Sequence, residues 1–386
     1  MKGTTGLIKD REVEQVVTRE NLLTLANFCD KDATAVSFGF GHVTTPDESH
    51  HEEVIAIKGM VQQAIAHFAP EPVPFTLTKD LEQILEVAEE IRLNPARLRL
   101  VFACRGQDFW REFDLPSTGP QSFLNVGRGF HVAPLMLALQ SIAPYCVAII
   151  ESGKARAFVV RGTEIQELTG RIKSKELSSQ RDDPRVGWSK HVIKEKTEHE
   201  RSYFKHLSQE LLELVSEQQA IGLVLGCHQD LWGEVEPQFV HLDKLLMGRF
   251  HLAHFDTQPS KVLRMAMPVF TKGQRTRVST VLREINEEPA RRATGVKDVL
   301  EALLAGRVEK LVVGRLPGQT ISDGKACGRM TAVPGHNCAA CGNAEGFYMA
   351  AEEGLIRRAL LTDAEILFVE ADSAPGFNGA AALLRY

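Results

Sequence analysis

Asn378-Gly379-Ala380-Ala381-Ala382-Leu383-Leu384-Arg385-Tyr386 is the stretch whose reading decides the fold. Small residues run into Leu-Leu-Arg-Tyr with no polar side chain between Gly379 and Arg385. That pattern predicts a buried strand entered through a tight Gly turn. The residues upstream agree. Positions 352–361 have helical spacing, Thr362-Asp363 ends the helix, and 365–369 form a further apolar strand before a Ser/Ala/Pro/Gly loop.

The bulk numbers set the frame. At 386 residues, two or three domains are the expectation. A hydrophobic content of 44% and a charged content of 25% are ordinary for a soluble globular chain. No stretch approaches the run of apolar residues that a membrane helix needs, and the apolar run near Met1 is too short for a signal peptide. Cys29, Cys104, Cys146 and Cys227 each lie in or beside an apolar segment, which suits reduced core thiols and a cytoplasmic location. The net charge of −5 argues against a general nucleic-acid coat protein but leaves room for a local basic surface.

The closing segment resembles the end of the archaeal and eukaryotic class-one peptide release factors and their relative Pelota. Those chains finish with Gly-Gly-(apolar)-Ala-Ala-Leu-Leu-Arg-(Tyr/Phe). Asn378 stands where the first Gly would be, and Asn tolerates positive φ. The resemblance implies an α/β protein of three domains.

The first, residues 1–143, alternates helix and strand. Helical spacing marks 21–30, 48–68, 78–92 and 131–141. Strand alternation marks 33–40, and 98–104 with 109–115 make a hairpin across Arg105-Gly106-Gln107-Asp108. The eukaryotic codon-reading segments Asn-Ile-Lys-Ser and Tyr-Cys-Phe are absent, so this domain looks instead like that of bacterial relatives of the release factors.

The second domain, 144–268, opens with three strands at 145–150, 155–160 and 164–168, joined by tight turns into a meander. A polar loop at 171–189, a long helix at 190–218, a strand at 221–226, a helix at 239–247 and a strand at 250–254 follow. Its order resembles the ribonuclease-H-like middle domain of the release factors. The third domain, 269–386, begins with a basic helix at 275–287 and continues through a helix at 296–305 into strand 311–313. It resembles the family's kink-turn-RNA-binding-protein-like C-terminal domain.

Family chemistry depends on a Gly-Gly-Gln loop whose backbone enters the peptidyl-transferase centre. Here that loop would fall at 171–190, which holds only Gln180 and Gly187, in the wrong order. No Gly-Gly-Gln occurs anywhere in the chain. Catalytic residues therefore cannot be carried over, and the reading leans away from an enzyme. From Arg171 to Lys205 there are 10 Lys/Arg against 6 Asp/Glu, a local +4. Phosphate neutralisation favours such a patch, and Arg181, Arg185, Lys190 and Lys194 are the candidate RNA contacts. A solvated, charge-laced helix beside a polar loop is the alternative. Phe204, Leu207, Leu211, Leu214 and Val215 form a core stripe, whereas 190–203 has few apolar residues, so the first half of this helix is expected to project.

Other motifs weigh less. Glu151 could serve a two-metal nuclease, but strands 221–226 and 250–254 carry no matching acids, and it reads as a turn residue. The acidic run at 47–53 complements a helix dipole, and Gly39-Phe40-Gly41-His42 lacks the third Gly of a dinucleotide loop.

Cys338-Ala339-Ala340-Cys341-Gly342 is a Cys-x-x-Cys-Gly knuckle, half of a structural zinc site. With Cys327 and His336 it would supply four ligands for one zinc. The family often carries a zinc-ribbon-like insertion here, and in this chain its first pair is incomplete. Free thiols in a degenerate loop, or a redox pair, are the other readings. Together these features lead to the expectation of a release-factor-like, ribosome-associated or structured-RNA-binding protein without peptidyl-tRNA hydrolysis, with no membrane and no small-molecule substrate. A hydrolase or ribosome-rescue factor with a non-standard loop, and a protein-interaction scaffold, are the alternatives.

Overall fold

The computed structural model describes residues 13–41, 50–66, 72–90, 97–116, 122–168, 190–324, 329–332, 341–342, 346–369 and 377–386, with Phe68, Gly170 and Ile172. The chain forms two compact units. One joins the described residues up to Ser141 with those from Val278 onward, and the other is Ile142–Arg277.

The first part of the chain folds as β1 (Val13–Glu14), α1 (Arg19–Asn27), β2 (Ala35–Gly41), α2 (His50–Ala66), α3 (Phe75–Glu90), β3 (Arg97–Cys104), β4 (Phe109–Pro116), β5 (Phe123–Gly127) and α4 (Ala133–Ser141). Its sheet has the order β1-β4-β3-β2-β5. The expected hairpin is present, with Cys104 opposite Phe109 and Asp108 closing the turn in the left-handed region at φ 52°. On β2, alternate residues Val36, Phe38 and Phe40 pack against Ile57 and Val61 of α2 and Leu81 and Ile84 of α3. Ser37 points the other way, and its hydroxyl accepts the His131 N–H at 2.8 Å.

The second unit is built on β6 (Tyr145–Glu151), β7 (Lys154–Arg161), β8 (Glu164–Glu167), α5 (Lys190–Glu217), β9 (Leu223–Cys227), α6 (Trp232–Val235) and β10 (Leu246–His251). Strand order is β10-β9-β6-β7-β8, an antiparallel meander with two parallel strands added beyond β6. That is the ribonuclease-H-like order expected from the sequence. Both faces of β6 are buried, from Tyr145 to Ile150, and its side chains alternate between two cores. Cys146, Ala148 and Ile150 share a core with Tyr203, Phe204, Leu207 and Leu211 of α5. On the opposite face, Tyr145, Val147 and Ile149 share one with Val262 and Ala266 of α7 (Pro259–Glu287).

Two expectations change in this region. Residues 239–247 were expected to be helical, but only a 3-10 turn at Val240–Leu242 forms, and β10 begins at Leu246. Apolar spacing alone does not separate a short helix from a turn leading into a buried strand. The basic helix is also longer than expected, beginning at Pro259 and carrying Pro268 inside it. Pro268 is exposed, so water can satisfy the carbonyl that loses its donor there. Cys104, Cys146 and Cys227 are buried as expected, whereas Cys29 is exposed. Burial pushes the Cys146 and Cys227 thiols up to about 12, which leaves them protonated and unreactive.

The last part of the chain contains β11 (Arg292–Thr294), α8 (Gly295–Leu304), β12 (Val308–Val313), β13 (Thr320–Gly324), β14 (Met330–Thr331), β15 (Gly346–Ala350), α9 (Ala351–Leu361), β16 (Glu365–Phe368) and β17 (Ala380–Leu384). β17 sits inside its sheet, between β11 and β12 in the order β11-β17-β12-β16, and all five of its residues are buried. Ala381 and Leu383 face Val281 and Ile285 at the end of α7, and α8 packs on the sheet as well. Helices crowding this strand explain its run of alanines. Gly379 makes the turn into it at φ 82°. Asn378 does not adopt positive φ, so the first glycine of the family ending is not required by backbone geometry here.

Two charged residues of α9 join the first and last parts of the chain. Glu353, 4% exposed, accepts the backbone N–H groups of Val132 at 3.0 Å and Ala133 at 2.9 Å, at the start of α4, and lies 2.9 Å from His131 Nδ1. The donors at a helix start otherwise lack partners, and a carboxylate there also complements the helix dipole. Arg357, 7% exposed, donates Nε to the Ala26 carbonyl at 2.5 Å and Nη2 to the Phe28 carbonyl, at the far end of α1. Gly129 makes room for it, because a Cβ there would overlap the guanidinium. Burial works to raise the Glu353 pKa, but the His131 hydrogen bond and charge and the two backbone donors outweigh it and hold the carboxyl below its usual range. Burial works to lower the His131 pKa, and the hydrogen bond and charge of Glu353, with the charge of Glu352, raise it.

Candidate nucleic-acid interface

The arm expected to meet RNA starts at the outer edge of the middle sheet. β8 is the edge strand, paired to β7 with Arg161 opposite Glu164. Its base is anchored by Arg156, which forms a two-pronged pair with Glu167 at 2.7 Å on each side and also donates to the Phe255 and Thr257 carbonyls at 2.9 Å. Glu167 hydrogen-bonds Arg156 strongly enough to outweigh burial and lower its own pKa, while the same bond raises that of Arg156.

The sequence then returns through α5. Its buried stripe starts at Tyr203 and continues through Phe204, Leu207, Leu211, Leu214 and Val215. The helix from Lys190 to Ser202, about 20 Å long at 1.5 Å per residue, precedes that stripe. Ser152, in the turn after β6, donates to Glu200 Oε1 at 2.7 Å and fixes the helix where the stripe begins.

Of the four expected contacts, Lys190 and Lys194 fall on the first two turns of α5, on a single helix. Arg181 and Arg185 lie outside the described residues, as does the 173–189 segment that would hold a Gly-Gly-Gln loop.

The carboxyl ends of the parallel strands β6, β9 and β10 form the topological switch point of the sheet, a common ligand position in α/β folds. Glu151 is exposed there opposite Lys154, as expected of a turn residue. His228 lies 3.2 Å from Asp230 and its ring 5.2 Å from that of His251, histidines that the sequence did not single out. Among the described residues, no group of three His, Cys, Asp or Glu side chains could hold a metal ion.

The cysteine insertion interrupts the chain between the strands of a small sheet of order β14-β13-β15. Gly324 at the end of β13 pairs with Gly346 at the start of β15. Cys341 is exposed and free, whereas Cys327, His336 and Cys338 lie outside the described residues. Soft thiolates with one imidazole are a donor set suited to zinc.

Residues 131–271 match the family model described as Bacterial archaeo-eukaryotic release factor family 10. That span is release-factor-like. The matched span takes in α4, the whole middle sheet, α5 and the first part of α7, the elements that carry the arm. No curated protein sequence matches this chain. Among solved structures it is similar to the archaeal translation termination factor aRF1, with 13% identity over 96% of this chain and 99% of that one and a TM-score of 0.25. It is similar to Pelota of Archaeoglobus fulgidus, at 14% identity over 97% and 94% with a TM-score of 0.34. It is also similar to Dom34 of S. cerevisiae, described as a translation termination-like factor, at 12% identity over 97% and 92% with a TM-score of 0.41. Among the described residues, no helix is long and apolar enough to cross a membrane.

Proposed function

We propose that this chain is a translation-related factor of the cytoplasm that associates with the ribosome or another structured RNA, and that it does not hydrolyse peptidyl-tRNA. One observation carries the reading: the release-factor match spans the arm, yet no Gly-Gly-Gln occurs in the 386 residues. Only glycine lets a backbone approach an ester that closely without a side chain in the way. What such a chain retains is the positively charged arm, with Arg181, Arg185, Lys190 and Lys194 as its RNA contacts. Three domains, 1–143, 144–268 and 269–386, and one structural zinc held by Cys327, His336, Cys338 and Cys341 belong to the same proposal. The zinc would order the insertion and take no part in a reaction.

Co-sedimentation of the purified chain with ribosomes, at low and at high salt, tests the reading. Association that weakens steeply as salt rises is the expected result. A chain that stays in the supernatant at low salt would overturn it.

A further inference from the structure

The first 19 residues of α7, positions 259–277, contain 5 Lys/Arg and no Asp or Glu. In the same protein α5 sets 5 Lys/Arg among 6 Glu, the interleaved pattern of a helix charged for solubility. Lys261, Arg264, Lys272 and Arg275 are all exposed, and at 100° per residue they fall within one narrow arc of the helix. The opposite arc is buried: Val262 and Ala266 sit in the core under β6. Gly273 lies so close to the Met247 backbone of β10 that a Cβ would overlap it. The helix cannot roll on the sheet, so its basic arc is held outward. Among the described residues, Lys261, Arg264 and Lys272 have no carboxylate partner. The nearest acid in sequence, Asp256, precedes the helix and bears on Arg156.

We propose that this face of α7 is a second phosphate-binding surface, taking the backbone of an RNA duplex along about 20 Å of helix. It lies outside the arm and reads no sequence, since lysine and arginine on a convex helix face reach phosphates without reaching base edges. Cationic charge unopposed by any acid on its own helix segment is what a polyanion selects, and a duplex presents closely spaced phosphates along its surface.

The test measures binding of the full chain to a fluorescently labelled RNA duplex between about 50 and about 200 mM KCl. The triple variant Lys261→Gln/Arg264→Gln/Lys272→Gln should lower the slope of log affinity against log salt by about two units, since each lost phosphate contact removes roughly 0.7–0.9. All three side chains are exposed, so the melting curve should match that of the parent. A parent that does not bind the duplex, or a triple variant with the parent's slope, overturns the proposal. So does binding to anionic lipid vesicles in place of RNA. Ribosome co-sedimentation that persists in the triple variant and is lost on neutralising the arm would retire this surface and leave the reading of the arm standing.

Discussion

Glu353 and Arg357 lie one turn apart on α9 and close two helix ends of opposite polarity, the carboxylate at the start of α4 and the guanidinium at the end of α1. Each charge meets the end of a helix dipole that favours it. Their spacing on one helix fixes where α1 and α4 sit relative to α9, so a single element aligns the first part of the chain with the last.

Removing either charge should be costly. Glu353→Ala leaves the half-buried His131 and two buried backbone donors without a partner, a loss of about 3 kcal/mol. Denaturant unfolding compared with an exposed control such as Glu287→Ala would measure it. Equal stabilities would show that the contact contributes nothing.

The same contact should depend on pH. The His131 pKa lies above its ordinary 6.5, so its contribution is complete below that value and disappears as pH rises through the folded value. The Glu353 pKa lies below its ordinary 4.5, so its contribution is present above that value and is lost as pH falls through the folded one. The difference in melting temperature between parent and Glu353→Gln should therefore be largest between those two ordinary values and shrink toward alkaline pH. A difference that does not vary with pH would exclude the ionised pair.

Gly129→Ala should destabilise the protein by about 1–3 kcal/mol, because the new methyl group occupies the path of Arg357. Combining it with Arg357→Ala should restore much of the loss caused by the methyl group. If the double variant is as unstable as the sum of the two singles, the side chains do not compete for that space.

Neutralising Arg181, Arg185, Lys190 and Lys194 together should flatten the salt dependence of ribosome co-sedimentation by about three units. Co-sedimentation indistinguishable from that of the parent at every salt concentration would place the contact elsewhere.

Peptidyl-tRNA on a stalled ribosome should stay intact in the presence of the purified chain. Release of peptide above a buffer control, abolished by Gln180→Ala, would show a hydrolase working through a loop unlike Gly-Gly-Gln.

Protein purified without chelators under reducing conditions should carry about one zinc per chain, lost in Cys338→Ser. The sheet of β11, β17, β12 and β16 should remain folded in that variant, since its described core comes from α7, the strands of the sheet and Phe377. Elemental analysis finding no zinc would leave the knuckle as free thiols.

Local patterns were legible. The closing strand, the hairpin of β3 and β4, the middle meander and α8 all follow from spacing and turn residues close in sequence. What sequence did not reveal depends on distant partners. β5 pairs with β2, from Ala35 opposite Gly127, and nothing near Phe123 announces that. The basic helix expected at 275–287 is the last part of one that starts at Pro259 and runs through Pro268. Glu353 and Arg357 look like solvent-facing charges of an amphipathic helix, and only the fold brings them to helix ends far away in the chain. At the arm, the charge count pointed to four residues, while the acid-free first part of α7 lies almost wholly before the basic helix expected at 275–287.

The joining of first and last parts has a consequence for synthesis. Val132 precedes Glu353 by 221 residues and Ala26 precedes Arg357 by 331. At cellular elongation rates that delay is on the order of ten seconds to a minute. The strands and helices of 142–277 find their partners within that interval, whereas the ends of α1 and α4 must wait in water for a helix not yet made. The newborn chain can complete its middle before its two outer parts have met.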